Sequence, residues 1–402
     1  MILIYNSAYL TTTKNTPQLN LTGINMQVKY LAIGFSILVF SCGLFETDNE
    51  NNNLDMVYIA LQGLDQVGIV NSGNGDMKVV DIDYNASMKE TPHFIVIDEI
   101  NRYWFVTTIS SGYVGLYNLD TDAFIDTIMV GDLPALMVLN EEDKKLYVSR
   151  MMPMGEMGAV STIVQEINYA NSSHMVLSNE FELSSPAPHG LAISSDRSEV
   201  YVASNTADWL YKLFPSTGER DSVIMDSSFG NYPDNVTQRL KPIQVVSVED
   251  SLLFVTCSAG EWFDNNQNVY LPGQIQLWDS NSMTLIDTLQ FDWKASPWHI
   301  ITSLNSRMVY AVLRGDPDYP GSAGVVGISF ESDTLSLVVE NYSEDFQSLH
   351  GIDISSDGKT LFVSGMRDGH LHLFNASDLQ LIKSIPLGEN YSFASPGGVK
   401  AK

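Results

Sequence analysis

Four histidines hold most of the chemistry that this 402-residue sequence can offer. His93, His189 and His350 open one kind of apolar alternation, in "PHFIVID", "PHGLAIS" and "LHGIDIS", and His299 sits one place later in "PWHIIT". Histidines at one position of a repeat converge when the repeat closes on an axis. Several neutral imidazoles at one point are ligands for Zn or Cu. The competing reading makes Pro-His-Gly the turn of the repeat itself, each imidazole bonding a neighbouring loop's backbone. Ala135 and Ile243 fill that position elsewhere, which favours the turn, so no metal and no cofactor is assigned.

Rings and cations come next. Tyr113, Trp209 and His370 share one offset within the repeat, and with Trp298 and Trp262 they can stack on a sugar or another ring ligand. Packing between repeats is their alternative use, since Trp is largely buried on average. Arg150, Arg314 and Arg367 occur just after the second strand of their repeats. In a chain of net charge −27 they can grip a carboxylate bidentately or pair with a nearby Asp. Met151, Met152, Met154 and Met157 read as an adaptable apolar surface. Asp316 and Asp318, with "DNNQN", offer oxygens to Ca²⁺ at a spacing that fits no known loop. There is no G-x-S-x-G elbow, no H-E-x-x-H, no phosphate-cradling loop and no dinucleotide fingerprint.

These residues are placed by a repeat. Its opening pair recurs as Pro92-His93, Pro134-Ala135, Pro188-His189, Pro242-Ile243, Pro297-Trp298 and Leu349-His350, at spacings of 42, 54, 54, 55 and 52 residues. A polar stretch follows each pair, such as "NEEDKK", "SSDRS" or "SSDGK", and a second apolar run follows that. Each unit reads as four short strands of period two, as in "GIDIS", "TLFVSG", "HLHLFN" and "LQLIKSIP". Four antiparallel strands at this period are the blades of an all-β propeller. "MVYIALQG", "QVGIVNSG" and "MKVVDIDY" supply strands two to four of a further unit, and "ASPGGVKAK", residues 394–402, supplies its first. The expectation is a seven-bladed β-propeller whose C-terminal strand pairs into blade 1 and closes the ring.

The stretches "PHGLAISSDRSEVYVAS" and "LHGIDISSDGKTLFVSG", with "LYNLDTDAFIDTIMVGDLP", resemble the YVTN-repeat β-propellers of bacterial and archaeal envelope and surface proteins. The resemblance covers residues 54–402 and implies fold more than function, because the same ring carries binding modules, lactonase-like enzymes and metalloenzyme domains. Propeller domains similar to nitrous-oxide reductase also gather histidines, but they use more of them together with a partner copper domain. Insertions between strands two and three, "RMMPMGEMGAVST", "SAGEWFDNNQNVYLPGQ" and "RGDPDYPGSAG", fall on the rim where the marker histidines begin their strands. Long connections in a compact repeat usually carry function.

The remaining signals concern address and partners. "MQVKYLAIGFSILVFSCG" pairs a basic residue with an eleven-residue apolar run and resembles a bacterial lipoprotein signal, with Cys42 as the lipidated residue. Residues 1–41 therefore read as a signal region, 26–41 being the signal itself and 1–25 an upstream start. Residues 42–53 read as a flexible tether and 54–402 as the propeller. Cys257, in an apolar strand, reads as a buried free thiol. Strong acidity excludes a nucleic-acid partner. The sequence thus predicts a monomeric, lipid-anchored propeller of the bacterial envelope, recognising a protein, peptide or glycan through its insertion-bearing rim. A lactonase-like or metal-dependent enzyme using His93, His189, His299 and His350 is the alternative.

Overall fold

Burial falls from the inner strands of each unit to the outermost one, and the architecture explains why. In the unit that runs Pro92–Asp98, Tyr103–Thr108, Tyr113–Asn118 and Phe124–Met129, the second and third strands are buried on both faces, whereas the fourth is mostly half-buried or exposed. Inner strands lie between neighbouring sheets and need apolar side chains on both sides. The computed structural model describes residues 55–151, 162–185, 187–205, 208–225, 240–264, 267–303 and 306–402, without the side chains of 262–264, 267 and 332.

Seven four-stranded antiparallel sheets make up this region. Their innermost strands are Pro396–Ala401 in blade 1, then Pro92–Asp98, Pro134–Asn140, Pro188–Ile193, Pro242–Val248, Pro297–Thr302 and Leu349–Ile354 in blades 2 to 7. The C-terminal strand pairs with Met56–Leu61, placing Val57 opposite Ala401 and Leu61 opposite Pro396. Met56 and Lys402 exchange backbone hydrogen bonds at 3.2 and 3.0 Å. The ring therefore closes on the expected strand, which leaves no blade with a missing inner edge. Seven apolar clusters fill the seven junctions between adjacent blades; the closing one joins Phe362, Leu371 and Leu373 of blade 7 to Val57, Ile59 and Val399 of blade 1. Cys257 is buried in the junction of blades 4 and 5.

One local distortion repeats around the ring. The residue before each inner strand has a left-handed backbone although none is glycine: Thr91, Leu133, Ala187, Lys241, Ser296, Ser348 and Ser395, with φ from 44° to 55°. Each such site costs of order 1 kcal/mol in isolation. In blades 2 to 7 its carbonyl accepts an N–H from the loop between strands two and three, as from Ile109 to Thr91 and from Arg314 to Ser296. Just inside, every inner strand slips register against strand two. Such a bulge re-aims side chains at a sheet edge, and the marker residue rides on it.

Adjacent bulges are fastened together. In blades 2, 3, 5 and 7 a hydroxyl on strand two donates to the next blade's bulge: Thr107 to the Ala135 carbonyl, Ser149 to His189, Thr256 to Trp298 and Ser364 to Gly397. The same hydroxyls accept an N–H from their own inner strand, as from Gly351 to Ser364 at 2.8 Å. This close approach also explains the glycine after the marker histidine. A Cβ on Gly190 would lie 2.7 Å from Gln244 Cα, and one on Gly351 would lie 2.5 Å from the Gly397 oxygen.

The blade 5 insertion differs from the loop its sequence suggests. It contains a two-stranded hairpin, Gly260–Asp264 against Gln267–Leu271. Most of the blade 3 insertion, with Met152, Met154 and Met157, lies outside the described residues, as do the signal region, Cys42 and nearly all of the tether.

Candidate functional site

The bulges turn the four marker imidazoles into one place. His93 and His350 pack edge to face with ring centroids 5.3 Å apart, and His299 meets His350 at 4.8 Å. Phe94 closes on His299 at 5.7 Å and Trp298 on His350 at 5.6 Å. All four imidazoles are buried, and together they plug one end of the central channel.

Burial decides their charge. Removal from water disfavours the imidazolium, lowering His93 to a pKa of about 3, with nearby His189 adding to the effect, and lowering His189 to about 4. His299 and His350 are pushed well below the usual histidine range by the same desolvation, and then by their neighbours. The plug is neutral at pH 7. His189 is anchored: its Nδ1 donates to the Ile243 carbonyl at 2.6 Å, which fixes the tautomer. The other three retain unmet atoms, both ring nitrogens of His93, Nε2 of His299 and Nδ1 of His350. Buried polar groups without partners are uncommon and mark places shaped by something other than stability. Among the described residues no group of three or more His, Cys, Asp or Glu side chains is arranged to hold a metal ion.

Above the plug, on the insertion-bearing rim, aromatic side chains from three separate segments meet. Tyr270, on the blade 5 hairpin, lies 4.5 Å from Trp293, in the connection to blade 6, and Trp293 meets Tyr319, in the blade 6 insertion, at 5.4 Å. Lys294 sits over Tyr319 at 4.3 Å. Tyr270 and Tyr319 are 48% and 43% exposed, far more than core rings. Beside Tyr319 opens a cleft of about 160 Å³ between blades 6 and 7, which holds Arg314 and Arg367. The Arg314 guanidinium lies over the Trp298 ring at 4.7 Å.

The opposite end of the channel has a different character. A cavity of about 570 Å³ opens there, walled by apolar residues of all seven inner strands, with His299 among its lining. Its charged lining residues are Glu99, Asp353, Lys400 and Lys402; the Asp353 Oδ2 accepts from Lys400 Nζ at 3.1 Å and from the Ala401 N–H at 2.7 Å. Lys400 is raised by this carboxylate.

The sequence-derived candidates divide accordingly. His93, His189, His299, His350 and Trp298 come together, and Arg314 and Arg367 share one cleft. Tyr113, Trp209 and His370 do not form a platform, because equal offsets in blades 2, 4 and 7 leave them far apart around a ring. Each packs locally instead: Tyr113 against Tyr84, Trp209 against Tyr211 and His370 against Tyr391. The Arg150 Nε donates to the Asp132 carbonyl. Trp262 has its backbone in the blade 5 hairpin, and its side chain lies outside the described residues. Asp316 Oδ1 accepts the Asp318 N–H, so that pair serves its own turn. Sequence reasoning passed over Tyr270, Trp293, Tyr319 and Lys400. The first three do have a signal: they are aromatics in segments with no counterpart in other blades, where repeat packing does not require them.

No family model and no curated protein matches this chain. Solved structures do. A protein of unknown function from Desulfotomaculum acetoxidans is 12% identical with a TM-score of 0.64, covering 86% of this chain and 98% of that one. A Bacteroides fragilis protein provisionally described as a 6-phosphogluconolactonase is 13% identical with a TM-score of 0.63, covering 88% and 100%. The periplasmic gluconolactonase of Pseudomonas aeruginosa is 15% identical with a TM-score of 0.61, covering 87% and 99%. At these identities the likeness shows the seven-bladed fold alone.

Proposed function

We propose that this chain is an envelope-anchored binding module that recognises its ligand through the insertion-bearing rim, and that the ligand is a glycan rather than a protein or peptide. The observation that supports this most directly is the group in which exposed Tyr270 and Tyr319 flank half-buried Trp293. Rings held in fixed orientations by one another and by Lys294 suit contact with a sugar at little entropic cost. The lipoprotein-type signal ending at Cys42 supports the envelope location. The test is a glycan array followed by calorimetry on the best ligand. Tyr270→Ala and Tyr319→Ala should each weaken binding about tenfold or more, with the melting temperature moving by less than about 2 °C, as expected for exposed side chains. Unaltered affinity in both variants would remove this rim from consideration.

A lactonase-like reading draws on the unmet nitrogens of His93, His299 and His350. The electrostatics weigh against it. A general base works best with a pKa near the working pH, whereas burial lowers His93 to about 3 and pushes His299 and His350 well below the usual histidine range. Hydrolysis of a δ-lactone that disappears in His93→Phe would restore the enzyme reading.

A further inference from the structure

We infer that the cleft beside the aromatic platform is a carboxylate site, and that the ligand is an acidic saccharide of the uronate class. The inference rests on the glycan reading of the platform and adds the chemistry of one substituent. In this acidic chain most described cations are engaged: Lys78, Arg102, Lys145, Arg197, Lys212, Arg307, Lys359 and Lys400 pair with carboxylates, and six others donate to backbone carbonyls. Arg314 and Arg367 do neither. Among the described residues neither guanidinium has a hydrogen bond or an ion pair, and the buried Arg314 Nε has no partner. They nevertheless face the same 160 Å³ space. Burial, and then the like charge of Arg367, both disfavour the charged form of Arg314. Two cations kept close together without a counter-ion are suited to an anion that arrives from outside.

Geometry narrows the anion. Trp298 holds the Arg314 plane from one side, and a fixed guanidinium fork matches the two oxygens of a carboxylate. Asp316 and Glu344 also line the cleft, so a second negative charge on the group bound there meets repulsion, which favours a monoanionic carboxylate over a phosphate. Tyr319 belongs both to this cleft and to the stack with Trp293. A pyranose ring lying on the platform therefore carries a ring carboxylate towards the arginines.

The experiment is calorimetry on the whole protein at low salt with a galacturonate trisaccharide, its methyl ester, and a tri-aspartate peptide. The acid should bind at least tenfold more tightly than the ester. That advantage should vanish in Arg367→Gln, which changes an exposed side chain outside the core, and in Arg314→Gln. Equal binding of acid and ester overturns the carboxylate site and leaves the glycan reading standing. Binding of neither saccharide overturns the uronate assignment, and the glycan array then decides the platform separately. Arginine-dependent capture of the peptide alone replaces the saccharide with an acidic protein segment and overturns both.

Discussion

The two ends of the central channel are built from the same seven strands and differ in almost every physical respect. At the insertion-bearing end four imidazoles are buried and uncharged at pH 7, three of them packed ring against ring. At the other end the strands stand apart around an open cavity of about 570 Å³, whose apolar walls are interrupted by polar groups and by the charged Glu99, Asp353, Lys400 and Lys402. The backbone repeat is common to both ends, so the difference lies in side chains and in the bulge that aims them. Volume and chemistry are separated as a result. The exposed rings and the unpaired arginines lie away from the larger space.

Acid should expose the contrast most strongly. A histidine of ordinary pKa in the unfolded chain but about 3 or 4 when folded contributes stability that is intact above pH 6.5. That stability is lost as the pH falls towards the folded value, because the unfolded state takes up the proton first. For His93 and His189 the loss at pH 5 is about 2 kcal/mol each. Urea midpoints measured from pH 7 to pH 5 should therefore fall, and His93→Phe should flatten the profile by about one histidine's share. Parallel profiles for the two proteins would mean that His93 is not held neutral by burial.

The cavity end should respond to loss of its ion pair instead. Asp353→Ala removes the partner of Lys400 and the acceptor for the Ala401 N–H. Because 39% of the Lys400 side chain is accessible, water softens the penalty, and about 2 kcal/mol is expected. The loss should appear equally at pH 7 and pH 6, unlike that of the plug. A pH-dependent loss over that range would tie the two ends together electrostatically.

Closure of the ring gives the smallest effect. Ser364 bonds both Gly351 and the Gly397 carbonyl across the junction of blades 7 and 1, so Ser364→Ala should cost about 1 kcal/mol. Hydrogen exchange should then quicken in Pro396–Ala401 before other inner strands. Uniform acceleration around the ring would instead show that closure is carried by the apolar junction alone.

Much of this was legible in the residues. The spacing of Pro92, Pro134, Pro188, Pro242, Pro297 and Leu349 gives the blade count once "ASPGGVKAK" is placed beside "MVYIALQG", since only a first strand is missing there. A shared repeat position likewise brings His93, His189 and His350 to one axis. The same logic misplaced Tyr113, Trp209 and His370, because equal offsets on the outer part of different blades diverge around a ring rather than converge. Tyr270, Trp293 and Tyr319 escaped it because their meeting depends on the folded shapes of two insertions and a connection, none of which repeats.

Local alternation and its period are properties of neighbouring residues, and they settle that this chain forms short strands, four to a unit, in a closed ring. Which histidine finds a backbone partner is another matter, as is which arginine lacks a carboxylate and which end of the channel stays open. Those outcomes depend on atoms far apart in the chain, brought within a few ångströms by bulges and blade junctions. They were decided only when the ring closed.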